Sequence, residues 1–250
     1  MMNEQPAVGV GRYGLCAGCS YAASHLNSGR CKPGDSCVRA HSGRQIDRFF
    51  RANRDQAEHF LADLFWERRA IAARYAPVEL IGELTGDSDE IVRRVVVDRI
   101  PAGELVKMVG DPDREVRLGV VARIPEEHLH RLLHDPDYLI RATVARRLPH
   151  GQLAKMAKDN EREVRKVVAA RLPPFALDML ADDPEPEVRA IVAERALPGL
   201  AAQLLGDSEW WVRLAAVGNA PLELLPPLTS DPEAEVREAA LARLAEPTAI

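Results

Sequence analysis

The chain has 250 residues, of which 46% are hydrophobic but only 5% aromatic, so its core must consist of Leu, Val, Ile and Ala, which favours close-packed helices over a β-sandwich. The net charge of −5 gives no electrostatic reason to expect nucleic acid or an anionic membrane as a partner. The charge is uneven, since residues 1–50 carry a net +3, which leaves −8 for residues 51–250.

The first fifteen residues contain no apolar run of the kind that a signal peptide needs. No stretch of the chain approaches the ~18 apolar residues of a membrane span. We therefore expect a cytoplasmic protein with no membrane partner.

All four cysteines lie within a 22-residue segment and form the pattern C-x2-C-x11-C-x5-C: Cys16, Cys19, Cys31 and Cys37. In a reducing compartment, such clustering favours a metal centre over disulfides. Both zinc and iron–sulfur clusters take four thiolates. The spacing matches neither the paired C-x2–4-C of zinc knuckles nor the ferredoxin run, and it favours iron–sulfur only slightly. Spacing alone therefore leaves both cofactors open.

The residues around the cysteines do not decide between the two cofactors. Both centres are anionic, and four nearby cations would offset either one: Arg12, Arg30, Lys32 and Arg39. Four glycines would allow backbone N–H groups to approach sulfur: Gly14, Gly18, Gly29 and Gly34. Because four cysteines are available, we expect His25 and His41 to be solvated loop residues rather than ligands.

A connecting or capping segment, residues 46–62, follows the cysteines. It holds three of the five phenylalanines. Its apolar positions, together with Leu64 just after it, predict one or two helices between the cysteine segment and the rest of the chain: Ile46, Phe49, Phe50, Phe60 and Leu61.

From residue 63 onward the chain repeats every 24 residues. Aspartate recurs at positions 63, 87, 111, 135, 159, 183, 207 and 231, and arginine recurs six residues after each of them. We interpret the aspartate as a helix N-cap, often followed by proline at the first helical position. An acid follows in seven copies, and its spacing predicts i,i+4 pairs with the arginine, such as Asp89–Arg93, on a solvated face.

Apolar positions such as Val116, Val120, Val121 and Ile124 share one face of the predicted helix, and Pro125 ends it. The remainder of each unit leaves about eight residues for a second, shorter segment, in part 3₁₀. The sequence therefore predicts alternating long and short helices without strands.

This pattern resembles the leucine-rich repeat variant family, whose unit is an α-helix followed by a 3₁₀-helix. The resemblance implies an all-α, right-handed α/3₁₀ solenoid of about eight repeats, in which two helical layers form an α-α superhelix. Some members carry a small N-terminal domain in which four cysteines hold a [4Fe–4S] cluster. The resemblance therefore implies that this cofactor is bound by Cys16, Cys19, Cys31 and Cys37, with zinc as the alternative. The expected domains are a cluster domain over 1–45, the connecting segment 46–62 and the repeats over 63–250.

Other surface features are weaker candidates. A second arginine series could line a groove for an acidic partner if its charges are free: Arg99, Arg123, Arg147, Arg171, Arg195 and Arg243. Tyr138–Leu139 and Trp210–Trp211 place large apolar groups at two positions of the repeat that are mostly polar, which indicates either a protein contact or packing against a loop. His130 and His134 have metal-ligand spacing but are expected to be solvated.

No catalytic motif is present, so we expect no enzyme activity and no small-molecule substrate. The first functional hypothesis is an interaction scaffold whose solenoid surface binds an unidentified protein and whose cluster is structural. The alternatives are an iron–sulfur redox or oxygen sensor whose cluster state alters binding and, less favoured, a zinc-binding adaptor. We do not expect nucleic acid as a partner, because few aromatic residues accompany the arginines.

Overall fold

The computed structural model describes residues 14–246. They form two compact units, residues 14–124 and residues 125–246. Within these residues the elements are helical, and the nearest approach to a strand is an isolated antiparallel bridge between Lys32 and Ser36. No helix of this part of the chain is both long and apolar enough to cross a bilayer.

The first unit begins with two short turns, a 3₁₀ turn over Gly14–Cys16 and a π-helical turn over Ala22–Leu26. Four α-helices follow: α1 Gly43–Ala52, α2 Trp66–Tyr75, α3 Glu90–Arg99 and α4 Arg114–Arg123. The 3₁₀-helices between them are Arg54–Phe60, Val78–Leu80, Gly82–Gly86 and Ala102–Met108.

The second unit continues the same alternation. Its α-helices are α5 Tyr138–Arg147, α6 Arg162–Arg171, α7 Pro186–Arg195, α8 Pro198–Leu204, α9 Trp210–Val217 and α10 Ala234–Ala245. Its 3₁₀-helices are Glu126–Leu132, His150–Met156, Pro174–Leu180, Leu222–Leu224 and Pro226–Ser230. Within each unit, every repeat packs its α-helix against that of the neighbouring repeat.

The predicted alternation of long and short helices is confirmed. The apolar face of α4 is fully buried through Val116, Val120 and Val121, and Leu129 and Leu132 of the short helix are buried as well. The short segment is α-helical rather than 3₁₀ where Leu197 replaces the usual proline and Pro198 becomes the first helical residue.

The connecting segment is helical as predicted, in α1 and in the 3₁₀-helix that follows it. Ile46, Phe49 and Phe50 have no exposed surface. Phe50 stacks on Tyr75 of the first repeat helix with ring centroids 6.5 Å apart, so α1 covers that helix. Leu64, which we expected to contribute to this packing, is instead fully exposed.

The helices begin two residues later than the sequence predicts. The acid that follows the repeated aspartate is the N-cap, and in three repeats its carboxylate accepts a backbone N–H bond: Asp89, Asp113 and Asp137. The repeated aspartate instead accepts the N–H group two residues ahead, as Asp87 does from Asp89 at 2.9 Å. This arrangement is an Asx turn, so the assignment of the repeated aspartate as N-cap is wrong.

The repeated arginine joins neighbouring repeats. Arg93 donates through Nε and Nη2 to the two carboxylate oxygens of Asp111 at 2.7 and 2.9 Å, and through Nη1 to the carbonyl oxygen of Asp87 at 2.8 Å. We call this arrangement the Arg–Asp staple. It recurs in the pairs Arg69–Asp87, Arg93–Asp111, Arg141–Asp159, Arg165–Asp183, Arg189–Asp207 and Arg213–Asp231.

The staple contradicts the predicted i,i+4 pairs on a solvated face. The stapled carboxylates are at most 8% exposed and the guanidinium groups at most 14%. The true partner lies 18 residues ahead in sequence, in the next repeat. Burial removes the arginine and the aspartate from water. The two hydrogen bonds between guanidinium and carboxylate, and the bond from the guanidinium group to a backbone carbonyl oxygen, replace the lost hydration.

The second arginine series is also occupied rather than free. Arg171 donates from Nη1 to the carbonyl oxygens of Ala145 and Leu148, at 2.6 and 2.8 Å, at the end of the preceding helix. Equivalent bonds to the preceding repeat are made by Arg99, Arg123, Arg195 and Arg243. Asn219 takes the arginine position in one repeat and donates to Ala193 O and Glu194 O. The series therefore caps helix C-termini across repeat junctions.

Candidate metal centre

The four cysteines are positioned by short turns that precede α1. The Cys19 N–H donates to Cys16 O at 3.1 Å and closes the first turn. The Cys31 N–H donates to His25 O at 3.0 Å, and the Cys37 N–H donates to Gln45 O at 3.1 Å, which ties the last cysteine to α1. The fold thus brings residues separated by 21 positions into one small region.

The four thiols are free and differ in exposure. Cys31 and Cys37 are buried, at 6% and 3% exposure, whereas Cys16 and Cys19 are half-buried. Burial, together with the charges of Cys37, Cys16 and Cys19, raises the pKa of Cys31 to about 11. Burial and the charges of Cys37 and Cys19 raise the pKa of Cys16, which Arg39 opposes. The four sulfurs therefore lie within electrostatic reach of one another.

This donor set fits a multinuclear metal–thiolate centre. Four thiolates grouped without a metal would repel one another, and binding to metal ions is what stabilises their deprotonated form. Within residues 14–246, no three His, Cys, Asp or Glu side chains converge closely enough to hold a single ion. The thiolates of a cluster bind separate irons, so they do not need to converge on one point.

The backbone around the cysteines relies on glycine. Gly18, Gly29 and Gly34 adopt positive φ angles of 68°, 74° and 84°. Residues other than glycine rarely adopt a positive φ angle, so these three glycines allow the chain to reverse direction between consecutive cysteines. Arg39 Nη1 also donates to Ala17 O at 2.7 Å, which holds the loop between Cys16 and Cys19 beside the last cysteine.

The predicted charge-balancing residues have different roles. Arg30 forms an ion pair at 2.9 Å with Asp55 of the connecting segment. Lys32 forms the backbone bridge with Ser36. Arg39 is the cation that acts on Cys16. Arg12 lies outside the described residues.

His25 is buried rather than solvated, which corrects the expectation for this residue. Its ring lies 4.9 Å from that of Tyr21 in an edge contact, and the Tyr21 ring lies 5.4 Å from that of Phe49. His25 Nδ1 contacts Ser24 Oγ, and its Nε2 is buried without a hydrogen-bond partner. His41 is exposed as expected.

Asn53 is a supporting residue that the sequence analysis missed. It is fully buried, and its Nδ2 donates to Arg30 O and to Phe49 O at 2.9 and 2.8 Å. The side chain therefore links the cysteine segment to the end of α1. An asparagine directly after an apolar helix was the available signal, but asparagine is equally common in solvated caps.

The remaining surface candidates lie in the second unit. Tyr138 and Trp211 are partly exposed, and Trp210 packs edge-on against Trp211 with ring centroids 5.9 Å apart. His130 is exposed and its Nδ1 contacts Glu127 O, and His134 is exposed as well. The expectation that this histidine pair is solvated is confirmed.

Known families match both parts of the chain. Residues 10–59 match the family described as "LRV protein FeS4 cluster", and residues 114–137 and 162–185 match "Leucine rich repeat variant". The first match describes an iron–sulfur cluster and gives no support to zinc.

Two relatives are informative. A solved structure described as "a leucine-rich repeat variant with a novel repetitive protein structural motif" is 52% identical, with a TM-score of 0.82, and the match covers 92% of this chain and 98% of that chain. An uncharacterized 27.7 kDa protein in the nifB 3′ region of Rhodobacter capsulatus is 38% identical over 100 residues. The chain spans 40% of the length of that curated relative.

Proposed function

Because the chain belongs to the leucine-rich repeat variant family, we propose that it is an iron–sulfur repeat scaffold that binds another protein through its solenoid surface, and that the cluster stabilises the N-terminal domain. Binding rather than catalysis is the proposed activity. The observation that carries the proposal is the burial of Cys31 and Cys37 in a segment whose elements are only short turns.

We assign a [4Fe–4S] cluster to Cys16, Cys19, Cys31 and Cys37. When bound, such a cluster supplies iron–thiolate bonds that cross-link the segment and a one-electron redox couple. The chain supplies the rest: glycines that let the loops reverse, Arg39 beside Cys16, and the aromatic packing of Tyr21 on Phe49. A domain this small has little apolar surface to bury, so metal binding contributes much of its folding free energy.

The protein-binding part of the proposal rests on exposed aromatic residues. Trp210 and Trp211 begin α9, and the position of Trp211 is glutamate in five of the seven other repeats. Tryptophan is among the residues that contribute most to protein interfaces, because it buries a large rigid surface. The edge-on contact between the two rings holds them in a defined arrangement before any partner binds.

A combined metal and redox experiment tests the structural role of the cluster. Protein purified without oxygen should contain about four irons and four acid-labile sulfides per chain. Reducing and reoxidising the cluster should leave the melting temperature and the hydrogen exchange of residues 125–246 unchanged. Removing the cluster should raise hydrogen exchange in residues 14–60. One zinc and no iron would overturn the cofactor assignment.

A redox or oxygen sensor is the competing function, and the partial exposure of Cys16 and Cys19 favours it, since solvent reaches that side of the centre. In that case, partner affinity would differ between the two oxidation states. Equal affinities in both states would leave the structural role as the function of the cluster.

Binding to a protein partner is tested with purified components. A partner recovered by cross-linking in the native host is purified and its affinity measured with the wild type, with Trp211→Ala and with the matched control Leu80→Ala, which removes an exposed apolar side chain of the first unit. Loss of a hot-spot tryptophan costs about 2 kcal/mol or more, which is roughly 30-fold in affinity. An unchanged affinity for Trp211→Ala would contradict this surface.

A further inference from the structure

The second unit has a cleft of about 710 Å³ whose walls are basic. It lies between two successive repeats, and its open surface is provided by six residues: Leu133, His134, Pro136, Lys155, Lys158 and Asn160. We call this the basic cleft. None of these residues belongs to the cysteine site or to the tryptophan pair.

The cations of the basic cleft are not neutralised by the chain itself. No ion pair joins Lys155, Lys158 or His134 to a carboxylate among the described residues. The one hydrogen bond of the Lys155 ammonium group goes to the side-chain oxygen of Gln152 at 3.4 Å. Lys155 and Lys158 are exposed, so their charge is available to a ligand.

The two carboxylates that line the cleft are engaged elsewhere. Asp159 is stapled by Arg141, with bonds of 2.8 and 2.9 Å. Asp135 is buried and accepts the N–H of Asp137 at 2.8 Å. Arg141 is saturated in turn, because its Nη1 donates to the carbonyl oxygens of Asp135 and Pro136. The Arg141–Asp159 pair therefore adds no net charge to the lining of the cleft, and the net charge of the opening comes from the two lysines.

The net charge of the chain around the basic cleft is positive, whereas that of the following residues is negative. Residues 126–171 contain ten Lys and Arg against seven Asp and Glu, a net of +3, whereas residues 172–250 contain five against fourteen, a net of −9. An acidic ligand is drawn to the first segment and repelled by the second. The equivalent cleft one repeat later carries Asp178 and Asp182 in its walls.

We infer that the basic cleft binds a short acidic segment of a protein partner, with glutamate or aspartate side chains at Lys155 and Lys158 and an apolar side chain against Leu133 and Pro136. This inference rests on the proposed scaffold function and names the chemistry of its partner. The mixed apolar and cationic lining suits such a peptide. A nucleic-acid backbone fits less well, because its phosphates would continue into the acidic cleft beyond Lys158.

The arrangement differs from the basic groove that the sequence suggested. That groove required the second arginine series to be free, but those guanidinium groups cap neighbouring helices. The available cations are instead Lys155 of the short helix His150–Met156 and Lys158 in the turn after it. The position of Lys158 is glycine in three other repeats and alanine, histidine, aspartate or serine in the remaining four.

The test measures fluorescence anisotropy of the full holoprotein with a labelled peptide of six glutamates around a central leucine. The wild type should bind this peptide more tightly than the matching glutamine peptide, and the affinity should fall as salt rises. Lys155→Glu/Lys158→Glu should weaken binding at least tenfold. The milder Lys155→Gln/Lys158→Gln should give an intermediate loss, and circular dichroism verifies that both variants fold.

Lys107→Glu is the matched control, because Lys107 occupies the position of Lys155 in an earlier repeat but pairs with Glu104 at 2.8 Å and lies outside the cleft. It should change the affinity less than twofold. Equal weakening by Lys107→Glu, or equal binding of the glutamine peptide, would overturn the inference. If a 20-base-pair DNA duplex binds more tightly than the glutamate peptide and depends on the same lysines, the ligand is nucleic acid and the peptide proposal is wrong. A purified partner that depends on Trp211 but not on the lysines would refute the cleft and retain the scaffold.

Discussion

At the scale of single residues, Asp159 shows how one carboxylate serves two repeats. Its oxygens accept both donors of the Arg141 fork, and Oδ1 also accepts the Glu161 N–H at 2.9 Å. The carboxylate thus starts the turn of its own repeat and binds the arginine of the preceding one. Removing it would leave a buried guanidinium group without its counter-charge, which is a larger loss than that of a helix cap.

We therefore expect Asp159→Ala to lower the free energy of unfolding by about 3–5 kcal/mol, compared with about 1 kcal/mol for an ordinary cap. Urea unfolding followed by far-UV circular dichroism measures the change. The double variant Arg141→Met/Asp159→Leu should recover most of the loss, since an apolar pair replaces the buried charges. Arg162→Ala, which removes exposed contacts at 3.6 Å to Glu185 and Glu187, should cost less than about 1 kcal/mol. A loss for Asp159→Ala no larger than that of a cap would contradict the staple.

Asp113 gives the repeats a pH dependence. Hydrogen bonds from Arg94 lower the pKa of its carboxyl group, burial opposes the shift, and the Val116 N–H adds to the lowering, so that the pKa is about 2. Since this value lies below the ordinary one, the ionised carboxylate stabilises the fold above about pH 4, and this stability is lost as the pH falls toward 2.

Asp113→Asn retains a capping group but removes the charge. At pH 6 it should be less stable than the wild type by on the order of 1 kcal/mol, because Arg94 is partly solvated. The difference should shrink as the pH falls from 4 to 2. Urea midpoints by far-UV circular dichroism report on the repeat helices. A constant difference across this range would show that the charge of Asp113 is not involved.

At the scale of elements, the sequence predicted the repeat well but not its junctions. The period, the helix-then-short-helix order and the buried face of Val116, Val120 and Val121 follow from spacing within one unit, which a sequence displays directly. The partner of Arg93 was predicted wrongly, because i,i+4 geometry offered a nearby acid and no spacing rule points to one 18 residues away. The helix start was misplaced for a related reason, since an Asx turn and an N-cap favour the same residue types.

In the cysteine segment, too, some features could be predicted from the sequence and others could not. Its four candidate ligands follow from composition and family resemblance, whereas the burial of His25 and the links made by Asn53 depend on tertiary packing against α1. Side chains of intermediate polarity give no sequence signal that separates these roles.

Helix ends in this protein are completed by the following repeat. Arg171→Ala would leave the last carbonyl groups of α5 without their donor, and we expect a loss of about 1–2 kcal/mol in the free energy of unfolding. Arg171→Asn should lose less, because Asn219 makes equivalent bonds from the same repeat position. Urea unfolding of the three proteins measures both effects. Identical stability of the alanine and asparagine variants would contradict a capping role.

At the scale of the whole molecule, the cysteine segment and the repeats rest on different sources of stability. The repeats bury apolar faces and staples, whereas residues 14–42 depend on short turns and on the proposed cluster. Each repeat contacts its neighbours, so a local loss does not propagate far along such a chain.

We accordingly expect Cys31→Ser to abolish iron binding and to raise hydrogen exchange in residues 14–60, while exchange in α6 to α9 stays at the level of the wild type. Iron analysis and hydrogen-exchange mass spectrometry provide the two measurements. His41→Ala is the control, because it changes an exposed residue close to the cysteines in sequence. A full iron content in Cys31→Ser would refute the ligand assignment.

The Arg–Asp staple has a consequence for how such a chain changes over generations. Within each of the two compact units, successive repeats are joined by the arginine of the first and the aspartate of the second, so any two such repeats form the same junction. Duplication or deletion of 72 nucleotides, the coding length of one unit, preserves each junction and the reading frame together. The number of repeats can therefore change by recombination without loss of a junction, whereas a single-codon change at a junction removes one partner of a buried ion pair and lowers stability.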